Sequence, residues 1–265
     1  MTTDTLPARR TRRDRPMSPW RLEWLRMTRS GRGLALVATY AFFGFAGPLL
    51  ARYMAQLVGL SSAGVTIVAP APKPADGIVN YVGQGSQTGM IVLIVVAAGV
   101  LTFDAHRGLA TFYRTHAAGP FALIWPRFVA TVTVAIAAYA LGTAAAWLET
   151  TILLGPLPAG RVLLGVGLEA VFLTFALAVV AAASTTGRST LATAGVSLAV
   201  LLVVLPVVGL VGPVGDWLPT QLLTAPAALV TDAGAGDFWR PIGVALVATA
   251  ALLALAVRRS GRRDL

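Results

Sequence analysis

Six apolar runs alternate with polar connections along this 265-residue chain, at residues 33–50, 88–103, 128–148, 162–183, 191–214 and 238–257. A bilayer core takes about 20 helical residues at roughly 1.5 Å rise each, so each run predicts a membrane-spanning helix. The second run is short, but the chain upstream is uncharged back to Gly77, which lets that span start earlier. The sixth contains Arg240, close enough to its end to snorkel.

The connections carry their own signals. Ser18 can cap a helix and Pro19 suits its first position. The following residues to Arg32 place Trp20, Trp24 and Met27 on one side, with Arg26 and Arg29 opposite. This predicts an N-terminal interfacial helix, against the simpler alternative of an aromatic start to the first span. Residues 69–74, Ala-Pro-Ala-Pro-Lys-Pro, hold the backbone extended and predict a semi-rigid connection over residues 61–87. Residues 215–237 carry Trp217, Leu218, Leu222, Leu223, Ala227 and Leu229, spaced for a short helix or for packing between helix ends.

Composition fixes the solvent. The chain is 56% apolar and 12% charged, with a mean hydropathy of +0.75, whereas soluble domains carry about 25% charged residues. It reads as an all-α polytopic membrane protein. Seventeen of its twenty-one basic residues fall in segments that one threading puts on the same side; the others are Arg52, Lys73, Arg161 and Arg240. The positive-inside rule then predicts a multi-pass protein of the cell membrane with both termini cytoplasmic.

Residues 1–17 read as a disordered basic tail, residues 18–257 as one six-helix domain, and residues 258–265 as a second basic tail. The long basic start and the lack of a small-residue cleavage site argue against a signal peptide, so the first span is expected to be retained. The cluster Arg9, Arg10, Arg12, Arg13 and Arg15 is read as attracted to anionic lipid rather than to nucleic acid.

Candidate chemistry is sparse. Lys73 is the only lysine, so the phosphate loop G-x-x-x-x-G-K-[ST] is absent and the chain houses no Walker-type ATP site. His106 and His116 lack metal-ligand spacing, the five methionines are scattered, and no cysteine exists. No G-x-S-x-G elbow or paired carboxylates supply a nucleophile and base, and the chain is not expected to be an enzyme by itself. No metal or cofactor is expected on it. Glu169 is the one carboxylate deep inside an apolar run. Its insertion costs about 2 to 3.5 kcal/mol, so it should face other helices or a wet cavity, with Gly165 one turn away permitting close approach. It is either a polar point on a substrate path or a structural acid. The segment 104–127 is long enough for two short helices. Asp104, Arg107, Leu109, Phe112, Tyr113 and Arg114 offer charge and apolar anchors to a docked soluble partner, or aromatics to the headgroups.

At these residues the chain resembles a permease subunit of the ABC-2 type exporters. The resemblance rests on the basic segment before span one and on Gly47-Pro48-Leu49-Leu50-Ala51-Arg52-Tyr53. It rests also on Asp104 after a short second span, on Gly108-Leu109, and on Pro126-Arg127-Phe128 leading into span three. It implies two such subunits, identical or similar, paired with two ATPase subunits that bind ATP and magnesium. The loop after span two would be the coupling helix, with residues 20–32 as the connecting helix beside it. A non-transporting membrane anchor or assembly factor, and an intramembrane enzyme, are the alternatives. The Leu, Val and Ala of the spans fit an apolar or amphipathic substrate better than a sugar or ion.

Overall fold

The computed structural model describes residues 19–61, 71–102, 120–187 and 189–262. Among them the regular elements are helices, and no strand occurs. They are α1 (Pro19–Arg29), α2 (Arg32–Ser61), α3 (Pro74–Leu101), α4 (Pro120–Leu153), α5 (Ala159–Ser184), α6 (Thr190–Gly209), α7 (Gln221–Thr231) and α8 (Trp239–Arg262). All but α1 and α7 are long and apolar enough to cross a membrane. Each of these six contains or overlaps one of the predicted runs.

Three boundaries differ from expectation, each for a local reason. The second span does start upstream of the short run at Thr88, and it reaches Pro74, three residues beyond Gly77, because proline fits the first helical turn and Asp76 Oδ2 accepts the Lys73 N–H at 2.7 Å. The extended stretch is described only at residues 71–73, and residues 74–87 are helical rather than a connection. α3 contains one wide turn of π-helix at Val82–Ser86. α4 begins at Pro120, so residues 120–127 are the first turns of the helix, with Pro126 inside it. Thirty-four residues make α4 about 51 Å long, well beyond a bilayer core. Finally, α6 stops at Gly209 and not at Val214, and a tight 3₁₀ segment, Gly212–Trp217, folds the chain back. A Cβ on Gly215 would lie 2.7 Å from the Gly209 carbonyl oxygen.

α5 is the axis of the bundle. The fraction of its apolar window buried is 61%, against 22% for α6 and 17% for α8, and it packs on α3, α4, α6, α7 and α8. α2 and α4 form the most intimate crossing. There Gly44 faces Gly142, and a Cβ on Gly142 would sit 2.6 Å from the Tyr40 carbonyl oxygen; only glycine lets the two backbones approach so closely. The predicted short helix of the last connection is α7, with Leu222, Ala225 and Leu229 buried. It lies on α5 where Gly165 leaves room: a Cβ at Gly165 would come within 2.8 Å of Pro226 Cα. Arg161 ties the same pair, its Nη1 donating to the Leu229 carbonyl and to Asp232 Oδ1 at 3.3 Å each.

Successive spans alternate in direction, which gives the bundle two distinct ends. One carries α1, the starts of α2, α4 and α6, and the ends of α3, α5 and α8. There Thr102 Oγ1, after α3, meets Thr193 Oγ1 of α6 at 3.2 Å, and Phe121 and Trp125 of α4 share a cleft with Leu253 and Val257 of α8. Both described chain ends lie here, and we refer to it as the terminal end. The far end holds α7 and the start of α3, where Gly77 contacts Thr150 of α4.

Candidate functional site

The six residues of the segment 104–127 singled out from sequence, Asp104, Arg107, Leu109, Phe112, Tyr113 and Arg114, lie outside the described residues. What is described is the frame around them. α3 ends at Leu101 and α4 begins at Pro120, both at the terminal end, and α1 is fixed against the α4 side of that gap.

The fixing element is an ion pair between α1 and α4. Arg127 Nε donates to Glu23 Oε1 at 2.9 Å, and the two side chains are only 6% and 5% exposed. Arg26 reaches the same oxygen at 3.5 Å from a more exposed position. Met27, one turn beyond Glu23, is buried at 2% exposure, whereas Trp20 and Trp24 are 41% and 38% exposed. The three residues expected on one face of α1 therefore divide. Met27 and Glu23 turn inward, and the two indoles form the margin. On α4 a run of aromatic rings continues the contact region: Phe121 stacks on Trp125 at 5.4 Å and Trp125 on Phe128 at 6.2 Å. Burying an ion pair carries a large desolvation cost, so this pair has to be well seated, and it ties α1 to the first turns of α4.

A second polar group sits in the middle of the bundle. Glu169 of α5 has no exposed surface, as its place in an apolar run requires, and neither carboxylate oxygen has a hydrogen-bond partner. It lies within electrostatic range of Tyr40 of α2, Tyr81 of α3 and Tyr139 of α4. Tyr40 and Tyr139 meet edge to face at 5.5 Å, and Tyr81 and Tyr139 lie 5.9 Å apart. The Tyr40 ring fills the space above Gly89, where a Cβ would be 2.6 Å from its Cζ. Tyr81 donates to the Tyr139 carbonyl at 3.4 Å, and Thr143 donates to Tyr81 Oη at the same distance. The hydroxyls of Tyr40 and Tyr139 and of Ser86, in the wide turn of α3, are buried without partners. These spans thus bring one carboxyl and the unpaired hydroxyls of Tyr40 and Tyr139 into one buried region, an arrangement able to hold a proton, a water molecule or a small polar group. Among the described residues no three His, Asp or Glu side chains gather to hold a metal ion.

Sequence reasoning identifies Glu169 and Gly165, reads Arg127 only as part of the Pro126-Arg127-Phe128 entry to span three, and misses Glu23 and the three tyrosines. Glu23 does leave a trace, being the only acid between Asp14 and Asp76 in a strongly basic stretch. The tyrosines leave none, because each comes from a different span and nothing within one span shows that they meet.

No protein-family model matches the chain, and no curated protein or solved structure matches it. The molecule is defined by its class alone, an all-helical chain with six candidate membrane spans.

Proposed function

We propose that the chain is the membrane-spanning permease subunit of an ATP-driven exporter of the ABC-2 type. It would act as a pair of identical or similar subunits in the cell membrane and be powered by a separate ATPase. The observation that carries this reading is the seating of α1 by the buried Glu23–Arg127 pair at the start of α4, beside the gap between α3 and α4. A helix locked to the following span, next to a connection at the basic end of the bundle, is suited to receive a push from a soluble partner and pass it into α4. In this reading both termini are cytoplasmic and α1 lies in the inner interface, with Trp20 and Trp24 at headgroup depth. The loop with Asp104, Arg107, Leu109, Phe112, Tyr113 and Arg114 contacts the ATPase, which supplies ATP and magnesium. The absence of the Walker lysine loop fits this division of labour.

Copurification of the full chain from its own membranes in mild detergent, followed by mass identification of partners, tests the proposal. An ATPase at one-to-one stoichiometry, lost when Tyr113 and Arg114 are both replaced by alanine, is the expected result. Recovery of the chain without any nucleotide-hydrolysing partner would sink the transporter reading.

A further inference from the structure

The far end of the bundle holds a concave site that the exporter reading does not use. A cavity of about 470 Å³ opens between α7 and the start of α8, lined by Asp216, Thr224, Asp237, Trp239 and Arg240. Its volume falls in the range of about 300 to 1,000 Å³ usual for small-molecule sites. The Arg240 guanidinium carbon lies 5.2 Å from the Trp217 ring centroid and 5.3 Å from that of Trp239. The two indoles meet at 6.0 Å, inclined by 66°.

This stack holds the guanidinium in place through cation–π attraction without neutralising it. Arg240 forms no ion pair with any described residue, although Asp216 and Asp237 line the same cavity. Its N–H fork is therefore available to an acceptor from outside. Of the two acids, Asp237 uses Oδ2 to accept the Gly234 N–H at 2.9 Å, and Asp216 has no hydrogen-bond partner among the described residues. The location narrows the ligand further. Trp217 and Trp239 are 45% and 61% exposed, and Arg240 lies in the first turns of a candidate span, Ala235–Gly261. Exposed indoles at the mouth of a span sit at headgroup depth.

A ligand that satisfies this site carries a phosphate for the Arg240 fork and, close by, an ammonium for Asp216 and Asp237. One cation against two carboxylates leaves the cavity net negative, which penalises a headgroup bearing phosphate alone. We propose that this cavity binds the zwitterionic headgroup of a phosphatidylethanolamine-type lipid in the leaflet at the far end. The proposal requires only that the six helices span a membrane, and it stands or falls separately from the exporter reading.

Full-length protein in mild detergent, incubated with equimolar phosphatidylethanolamine and phosphatidylglycerol, tests it by native mass spectrometry of the retained lipid. Wild type should retain phosphatidylethanolamine in preference, and R240Q should lose it by about tenfold, the cost of one charge-assisted contact. R240K should fall between them. D216N leaves the Arg–Trp stack untouched and should shift the preference toward phosphatidylglycerol; it carries the test alone if R240Q does not fold. Equal retention by wild type and R240Q, equal retention of the two lipids by wild type, or an unchanged preference in D216N would each overturn the proposal. Soluble phosphoethanolamine is the control for the source of the headgroup. It should displace the lipid only weakly, and Arg240-dependent binding as tight as that of the lipid would overturn the lipid assignment.

Discussion

Single side chains carry most of the specificity in this molecule, because an apolar helix gives its neighbours little reason to prefer one register. Glu23 and Arg127 are separated by 104 positions in the chain and meet at 2.9 Å with almost no exposed surface. Removing one partner of such a pair leaves the other charge buried, at a cost of about 3 to 5 kcal/mol, whereas replacing both with apolar residues is far milder. R127M should therefore melt well below wild type in detergent. Arg127 also makes interactions beyond Glu23, so the E23M/R127M double variant is needed to isolate the pair; it should recover part of the loss, and strictly additive losses would rule out coupling. Glu169 calls for the opposite expectation. Both of its oxygens are buried without partners, and a buried polar group left unpaired costs about 1 to 3 kcal/mol. E169Q keeps that burden and should melt close to wild type, while E169M sheds it and should melt higher. If Glu169 serves transport, E169M would be more stable and less active at once. A lower melting temperature for E169M would mean that the acid is paired in the folded protein.

Helix contacts are set by where the chain omits a side chain. Gly44 and Gly142 bring α2 onto α4, and Gly165 admits Pro226 of α7, whereas a Cβ added at Gly167 or Gly195 would meet nothing within 4 Å. G142A and G165A should thus each cost about 1 to 3 kcal/mol through overpacking, read as melting temperature, and G167A and G195A should cost little. Equal effects at all four positions would show that helix propensity, not contact, governs these sites. The same contrast explains what can be read from sequence. Span positions follow from hydropathy, which each run carries by itself, and the role of Gly165 follows from its spacing to Glu169 on one face. Helix starts are harder. Pro74 closes a proline-rich stretch that reads as extended, yet it opens a helix, as Pro120 does, since proline is favoured in a first turn. Tyr40, Tyr81 and Tyr139 converge only because α2, α3 and α4 pack around Gly89 and Gly142, a fact that no single segment contains.

At the scale of the whole molecule, the two ends of the bundle differ in charge, and that difference predicts how the chain sits in its membrane. The terminal end collects the basic segments around α1 and the end of α8. Among the described residues Arg52, Lys73, Arg161 and Arg240 are the only basic ones at the far end, where Asp76, Asp216, Asp232 and Asp237 also lie. Arginine and lysine are retained on the cytoplasmic side during insertion, whereas acidic residues contribute little to orientation. The terminal end should accordingly face the cytoplasm. The chain has no cysteine, so a single introduced thiol reports its own side without background. Ser30 and Ser189 are exposed at the terminal end, and Lys73 and Gly236 are exposed at the far end. In intact cells a membrane-impermeant maleimide should label K73C and G236C at once, and S30C and S189C only after the membrane is permeabilised. Labelling of S30C and S189C in intact cells, with K73C and G236C protected, would invert the molecule. It would also place the α1–α4 junction on the side away from ATP, which no exporter powered by a cytoplasmic ATPase could tolerate.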